Sequence, residues 1–328
     1  KLSRDDDMVL FLKSSLRYPH LNFFLFIRFI TYLIKRLIKK ITTPFINSIN
    51  RILNIDVRLF SLTFNGRSKH LKPFYKEKKA WLKKKEHDYW YESLPYTGWK
   101  TSLNNKSTSQ NMPFCLASEK VFFMKNSKID WYKEYNDSED TMSLHRFDWL
   151  ISMLALKEKE KLPEKGVSWI LDWLENEKNL NNRLIWDSYT VSERIVNWLI
   201  FLCCIKPFIK DDSFDHALIR SSIVKQIKLV ALNLDYWGSK TNNHIINNAR
   251  ALYISGRLLK IKYAEKIGLS IIKNETDKLI PNGVLCEGST HYQFLITRSY
   301  LEIFWFSSKT DDQMTFDWLK HRLSKMLK

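Results

Sequence analysis

A polar cluster, Asn242-Asn243-His244, stands at the head of an apolar-periodic stretch, with Asn247 and Asn248 close behind it. Amide side chains donate hydrogen bonds without being ionised, and an imidazole can donate or position, so these residue types suit recognition of a polar ligand. Ile245, Ala249 and Leu252 recur at helical spacing and Gly256 reads as a terminator, which predicts a helix opening at the cluster. On that helix Asn243 and Asn247 share one face, and His244 and Asn248 another. Amides and an imidazole beside an apolar stripe are costly to bury without partners. A solvated helix end explains them, and so does a ligand groove. Downstream, Asn282-Gly283-Val284-Leu285-Cys286-Glu287-Gly288-Ser289-Thr290-His291-Tyr292 adds a carboxylate, hydroxyls and a phenol.

The two stretches together resemble a known family. Asn243-His244-Ile245-Ile246-Asn247-Asn248-Ala249-Arg250-Ala251-Leu252 is similar to the Asn-His-Leu-Leu-(Glu)-Asn-x-x-Ala-Leu helix of the heparinase II/III-like polysaccharide lyases. Asn282-Gly283, Glu287, Ser289 and Tyr292 resemble that family's Asp-Gly…Glu-(Arg)-Ser-x-x-Tyr-(His) segment, in the same order. Upstream, a helix read over Met142 to Ala155 contains Leu144-His145-Arg146-Phe147-Asp148-Trp149-Leu150, similar to the family's Leu-His-Tyr-Phe-Asp-Tyr-Leu. Trp169-Ile170-Leu171-Asp172-Trp173, Trp186-Asp187-Ser188-Tyr189-Thr190 and Arg194-Ile195-Val196-Asn197-Trp198 resemble its Trp-x-x-Asp-Trp and Ser-x-x-x-x-Arg-x-x-Asn-Trp elements. The resemblance runs from about Phe122 to Phe306. It implies an all-α chain, an incomplete (α/α) toroid, with the family's C-terminal β-sandwich domain absent from this chain. The spacing of the periodic stretches agrees, since helices of roughly 10 to 18 residues with short polar connectors make stacked antiparallel pairs.

What the resemblance implies about function is a β-elimination on a uronic-acid-containing, acidic polysaccharide. The proton at C5 leaves from beside a carboxylate, so donors aimed at that carboxylate stabilise the charge that develops. Asn243 is suited to this as an un-ionised donor, with His244 donating or positioning beside it. A tyrosine at its ordinary pKa of roughly 10 is a poor base at neutral pH, and a cationic, partly desolvated pocket makes one competent. Tyr292 matches the family's base or acid. Arg194, Asn197, Trp186 and Tyr189 would line the sugar subsites, and Glu287 would order the site and its substrate. No metal site and no cofactor are expected. His145 and His291 read as structural or surface residues, and the tryptophans of the helical region read as core.

Three departures from the family pattern stand out. Asn247 occupies the place of its Glu, Gly288 that of its Arg, and Gln293 that of the His after the motif tyrosine. The family's sandwich domain also supplies a further histidine, so a fragment or a toroid-only protein is expected to eliminate weakly.

Composition bounds the alternatives. The chain has 328 residues, 45% of them hydrophobic and 14% aromatic, which argues for a folded globule rather than disorder. Only 8 Gly and 8 Pro favour helices over a turn-rich β fold. The cysteines, Cys115, Cys203, Cys204 and Cys286, form neither a Cys-x-x-Cys pair nor a disulfide framework. A formal charge of +18 suits an acidic partner: acidic glycan, anionic lipid or nucleic acid. Leu21 to Ile41, aromatic, apolar and interrupted by basic residues, reads as a packing helix or an interfacial one making peripheral membrane contact. The basic run Lys76 to Lys85 around Trp81 reads as a solvated helix face, and no nucleic-acid-binding signature accompanies it, so no nucleic-acid partner is expected. Residues 1–121 form a basic, aromatic lead-in with an irregular segment, and 122–328 the toroid, either as two parts or as one continuous domain. No signal-peptide order of basic, apolar and small residues is visible, which favours a cytoplasmic place over a periplasmic one. Two other functions fit the same residues: a non-catalytic glycan-binding or surface-polysaccharide assembly protein, and a basic protein that docks on membrane or nucleic acid.

Overall fold

The apolar periodicity of the second half of the chain is spent on helices that pair in sequence order. The computed structural model describes residues 70–71, 74–84, 114–118, 120–121, 128–154, 162–208, 214–236 and 241–327, all within one unit, Leu62–Lys328. The stretch Leu21 to Ile41 and most of the irregular segment before Phe122 lie outside the described residues. Helix α1 (Tyr75–Lys83) is followed by the two-residue strands β1 (Phe114–Cys115) and β2 (Lys120–Val121). They pair antiparallel, Phe114 with Val121 and Cys115 with Lys120. Then come α2 (Ser138–Arg146), α3 (Asp148–Leu154) and α4 (Leu162–Asn176). Three helix pairs complete the chain: α5 (Ser188–Ile205) with α6 (Phe214–Leu232), α7 (His244–Leu258) with α8 (Lys262–Leu279), and α9 (Thr290–Lys309) with α10 (Gln313–Met326). The fold is all-α and toroid-like.

Cross-contacts give the directions. Arg194 and Ser188 of α5 meet Gln226 and Asp235 in reverse order, so α5 and α6 are antiparallel. Gly256 and Gly268 lie against Glu265 and Tyr253 respectively, so α7 and α8 are antiparallel too. By contrast Tyr189, Ser192 and Glu193 of α5 meet Asn247, Asn248 and Arg250 in the same order. Arg250 and Arg257 of α7 likewise meet Glu302 and Thr310 along α9. Helices α5, α7 and α9 are therefore parallel, and their N-termini lie at one end of the unit.

Those N-termini are sharply defined. Asp187 caps α5 by accepting from the Tyr189 N–H at 3.0 Å, and Ser289 caps α9 by accepting from the Tyr292 N–H at 3.3 Å. At the head of α7 the side chain of Asn242 accepts from the His244 N–H at 3.2 Å.

Two boundaries differ from the sequence reading. The helix expected over Met142 to Ala155 is broken at Phe147, which takes a left-handed conformation with φ 61°. Burial explains why a bulky residue tolerates it. The break drives the Phe147 ring into the core against Trp131, Trp149, Trp173 and Trp198, all with ring centroids within 6.3 Å. Gly256 does not terminate α7 but lies inside it, because a side chain there would strike the backbone of Glu265 on α8. Trp81, inside the basic run, is buried and stacked on Tyr263 at 4.8 Å, so it packs α1 onto α8.

Candidate functional site

Because α5, α7 and α9 are parallel, their shared end gathers Tyr189 from the first turn of α5, Asn243 and His244 from the head of α7, and Tyr292 from the first turn of α9. One hydrogen bond ties the head of α7 to the segment before α9. Glu287, three residues ahead of α9, accepts from the Asn243 N–H at 2.9 Å. A carboxylate at a helix N-terminus also meets the positive end of the helix dipole. Asn243 is 7% exposed and its side chain does not cap α7. Tyr292 is 43% exposed. Tyr189 packs its ring on the His244 imidazole at 4.6 Å, while the Arg146 guanidinium lies 5.0 Å from the centre of the same ring.

The remaining amides hold the scaffold. Asn247 donates to the Tyr189 carbonyl at 3.1 Å, and its own buried Oδ1 has no partner among the described residues. Asn248 donates to Ser192 Oγ at 3.2 Å and accepts from the Asp235 N–H at 2.8 Å. Asp235 in turn accepts from Ser188 Oγ at 2.7 Å and faces His244 Nδ1 at 4.0 Å. Burial pushes the Asp235 carboxyl above the ordinary carboxylate range, and the Ser188 hydroxyl opposes that push.

Arg194 is not on a subsite wall. It is completely buried, donating from Nε to Gln226 at 2.7 Å and from one terminal nitrogen to the carbonyls of His145 and Ile185. Its guanidinium lies 4.4 Å from the Trp173 ring centre and 5.3 Å from that of Trp186, so it works as an internal strut between α5, α6 and the aromatic core. Burial pulls its pKa down to about 9, which leaves it cationic at neutral pH. Asn197 is also buried and donates to the Arg146 carbonyl at 2.8 Å, which pins the end of α2. Trp186 is half-buried, donates to the Leu180 carbonyl at 2.6 Å and packs on Trp173. Tyr189 is half-buried as well. Burial and then the neighbouring Glu193 charge push its hydroxyl up to about 12, so it is a neutral donor rather than a base.

The sequence reading did not pick out an ionic network just inside this end. Glu193 of α5 pairs with Arg250 of α7 at 2.9 Å and accepts from Arg298 of α9 at 2.7 Å, and Arg250 also pairs with Glu302 at 2.7 Å. Burial opposes ionisation of Glu193, but Arg250 and Arg298 outweigh it and hold the carboxyl down at about 2. Arg298 is 42% exposed, so the network opens to solvent on α9. The local signal for it is the i,i+4 spacing of Arg298 and Glu302 on α9. Among the described residues no three His, Cys, Asp or Glu side chains group as a metal site would require.

No protein-family model and no curated protein matches the chain. Solved structures do. A heparan sulfate lyase HepC mutant from Pedobacter heparinus superposes over 78% of this chain and 42% of its own, with a TM-score of 0.50 and 15% identity. The fold is similar to that of a heparan sulfate lyase. A heparinase III structure matches over 63% of this chain and 34% of its own, with a TM-score of 0.49 and 20% identity. The chain thus spans less than half the length of either protein. What the likeness to the heparan sulfate lyase establishes is the helical architecture.

Proposed function

We propose that this chain binds an acidic, uronic-acid-containing polysaccharide at the end where α5, α7 and α9 begin, and that the site is built for β-elimination. The observation that carries this reading is the hydrogen bond from the Asn243 N–H to Glu287, which joins the head of α7 to the segment leading into α9, whose first turn carries the half-exposed Tyr292. Held in this way, the Asn243 amide donates to the uronate carboxylate, and it does so most strongly as negative charge builds there. Tyr292 handles the proton. The C5–H bond breaks as its proton passes to Tyr292, and the electron pair moves onto the carboxylate as an enolate. That pair then forms the C4=C5 double bond as the C4–O bond breaks and the leaving sugar oxygen takes the proton from Tyr292. Tyr189 and His244 form the neighbouring wall, where an aromatic face and an imidazole can meet a pyranose ring and its hydroxyls. The high formal charge of +18 favours an anionic chain over a neutral one.

The test is incubation with a panel of uronate polysaccharides, following the ultraviolet absorbance of the unsaturated product and, in parallel, binding by calorimetry. Elimination from one member of the panel, lost in Tyr292→Phe, is the expected result. Binding without any elimination would instead favour the glycan-binding reading. Absence of both would remove the polysaccharide from the account.

A further inference from the structure

We propose that Asp235 is the positioning residue for His244, holding its imidazole as the Nδ1–H tautomer so that Nε2 is left to accept a proton or hydrogen bond from a bound glycan. The inference rests on the reading of His244 as a site residue. Asp235 lies between α6 and α7, in a stretch where periodicity gives no signal, and only the packing of the helices brings it to the site. Its side chain is 11% exposed, whereas that of His244 is 45% exposed, so a mostly buried carboxylate backs a solvent-facing imidazole.

Asp235 is anchored to α5 through its carboxylate and to α7 through its backbone. Oδ2 accepts from Ser188 Oγ on α5 at 2.7 Å, and the Asp235 N–H donates to Asn248 Oδ1 on α7 at 2.8 Å. That same Oδ2 lies 4.0 Å from His244 Nδ1. The Tyr189 ring, 4.6 Å away and tilted by 50°, packs against the imidazole and limits its rotation. Hydrogen-bond rules then select the tautomer. A carboxylate only accepts, and a neutral imidazole carries one donor and one acceptor, so the nitrogen facing Asp235 must bear the hydrogen. The present separation exceeds a hydrogen bond by about 1 Å, and site hydrogen bonds of this kind are commonly long before ligand binds. The other carboxylate nearby, Asp187, is turned to its own task of capping α5 through the Tyr189 N–H.

Nitrogen-15 ring correlation spectra at neutral pH read the tautomer directly, with His244→Gln identifying the resonance. Wild-type protein should show Nδ1–H. Asp235→Asn keeps an acceptor for the Ser188 hydroxyl but can turn its NH2 toward the imidazole, and it should move His244 to Nε2–H. Asp187→Asn removes the same charge at the same end and should leave the tautomer as it is. A wild-type His244 in the Nε2–H form overturns the proposal without any variant, and so does an Asp235→Asn spectrum identical to wild type. Assays on the same samples separate this from the functional reading. If no glycan is turned over, the lyase reading fails while the tautomer still decides the role of Asp235. Where elimination is measured, Asp235→Asn should lower kcat at least about tenfold with little change in KM, and an unchanged kcat counts against positioning.

Discussion

His145 shows how much a single buried side chain can decide. Its Nδ1 accepts from Trp173 Nε1 at 2.9 Å, deep under the aromatic core, and burial, reinforced by the Arg194 charge, pulls its pKa from 6.5 to about 3. The unfolded chain therefore takes up a proton as pH falls below the ordinary histidine value, while the native state stays neutral. Stability present above that value is lost progressively toward pH 3, at up to about 1.4 kcal/mol per pH unit. Chemical denaturation between about pH 6 and 5, where carboxylates change little, should show this slope in wild type and a flatter one in His145→Gln. At the proposed site the informative substitutions are smaller. Tyr292→Phe keeps the ring and removes only the hydroxyl, so elimination should vanish with glycan affinity nearly intact. Asn243→Ala should reduce kcat more than affinity, because its amide matters most when charge develops. Steady-state kinetics beside calorimetric binding distinguishes the two effects.

Among the elements, the α7–α8 pair is the most tightly docked, and glycine makes the approach possible. A Cβ on Gly268 would stand 2.5 Å from the Tyr253 nitrogen and 2.6 Å from the Ala249 oxygen, both backbone atoms that cannot swing aside. Gly268→Ala should therefore force the two helices apart and cost about 1–3 kcal/mol or more, despite alanine's better helix propensity. Denaturant midpoints will show it. Since α7 carries Asn243 and His244, the same substitution should also weaken any glycan binding, whereas an exposed alanine substitution on α10 should leave it unchanged. The Glu287 contact is the element-scale counterpart at the site, because it joins the head of α7 to the approach to α9.

Across the whole molecule, the Glu193 carboxylate joins three helices through Arg250 and Arg298. Arg250 is 1% exposed, so removing its partner leaves a buried cation short of a carboxylate. Glu193→Ala should destabilise the protein, by less than the roughly 3–5 kcal/mol of a fully stranded buried charge, because Glu302 still pairs with Arg250. Measured against pH, the Glu193 contribution is present above the ordinary carboxylate range and is lost as pH falls toward about 2, because its native pKa is depressed. The net charge of +18 gives a second expectation. Affinity for an acidic glycan should fall as salt rises, since surface charge is screened over about 10 Å at 0.1 M.

The sequence by itself determined the all-α, paired-helix architecture, because apolar spacing and short connectors are local signals, and the resemblance implied the toroid. It also singled out Asn243, His244 and Tyr292, through the resemblance of the two polar stretches that carry them. Tertiary structure decided which charges are internal. Arg194 and Arg250 both lie on apolar-periodic helices and look alike in sequence, yet one braces the aromatic core and the other an ionic network reaching toward the site end. It also turned Phe147 into a break, made Gly256 a point of helix contact, and set Asp235 behind His244. None of these follows from local propensity, because each depends on what a neighbouring helix, distant in sequence, presents at a given height.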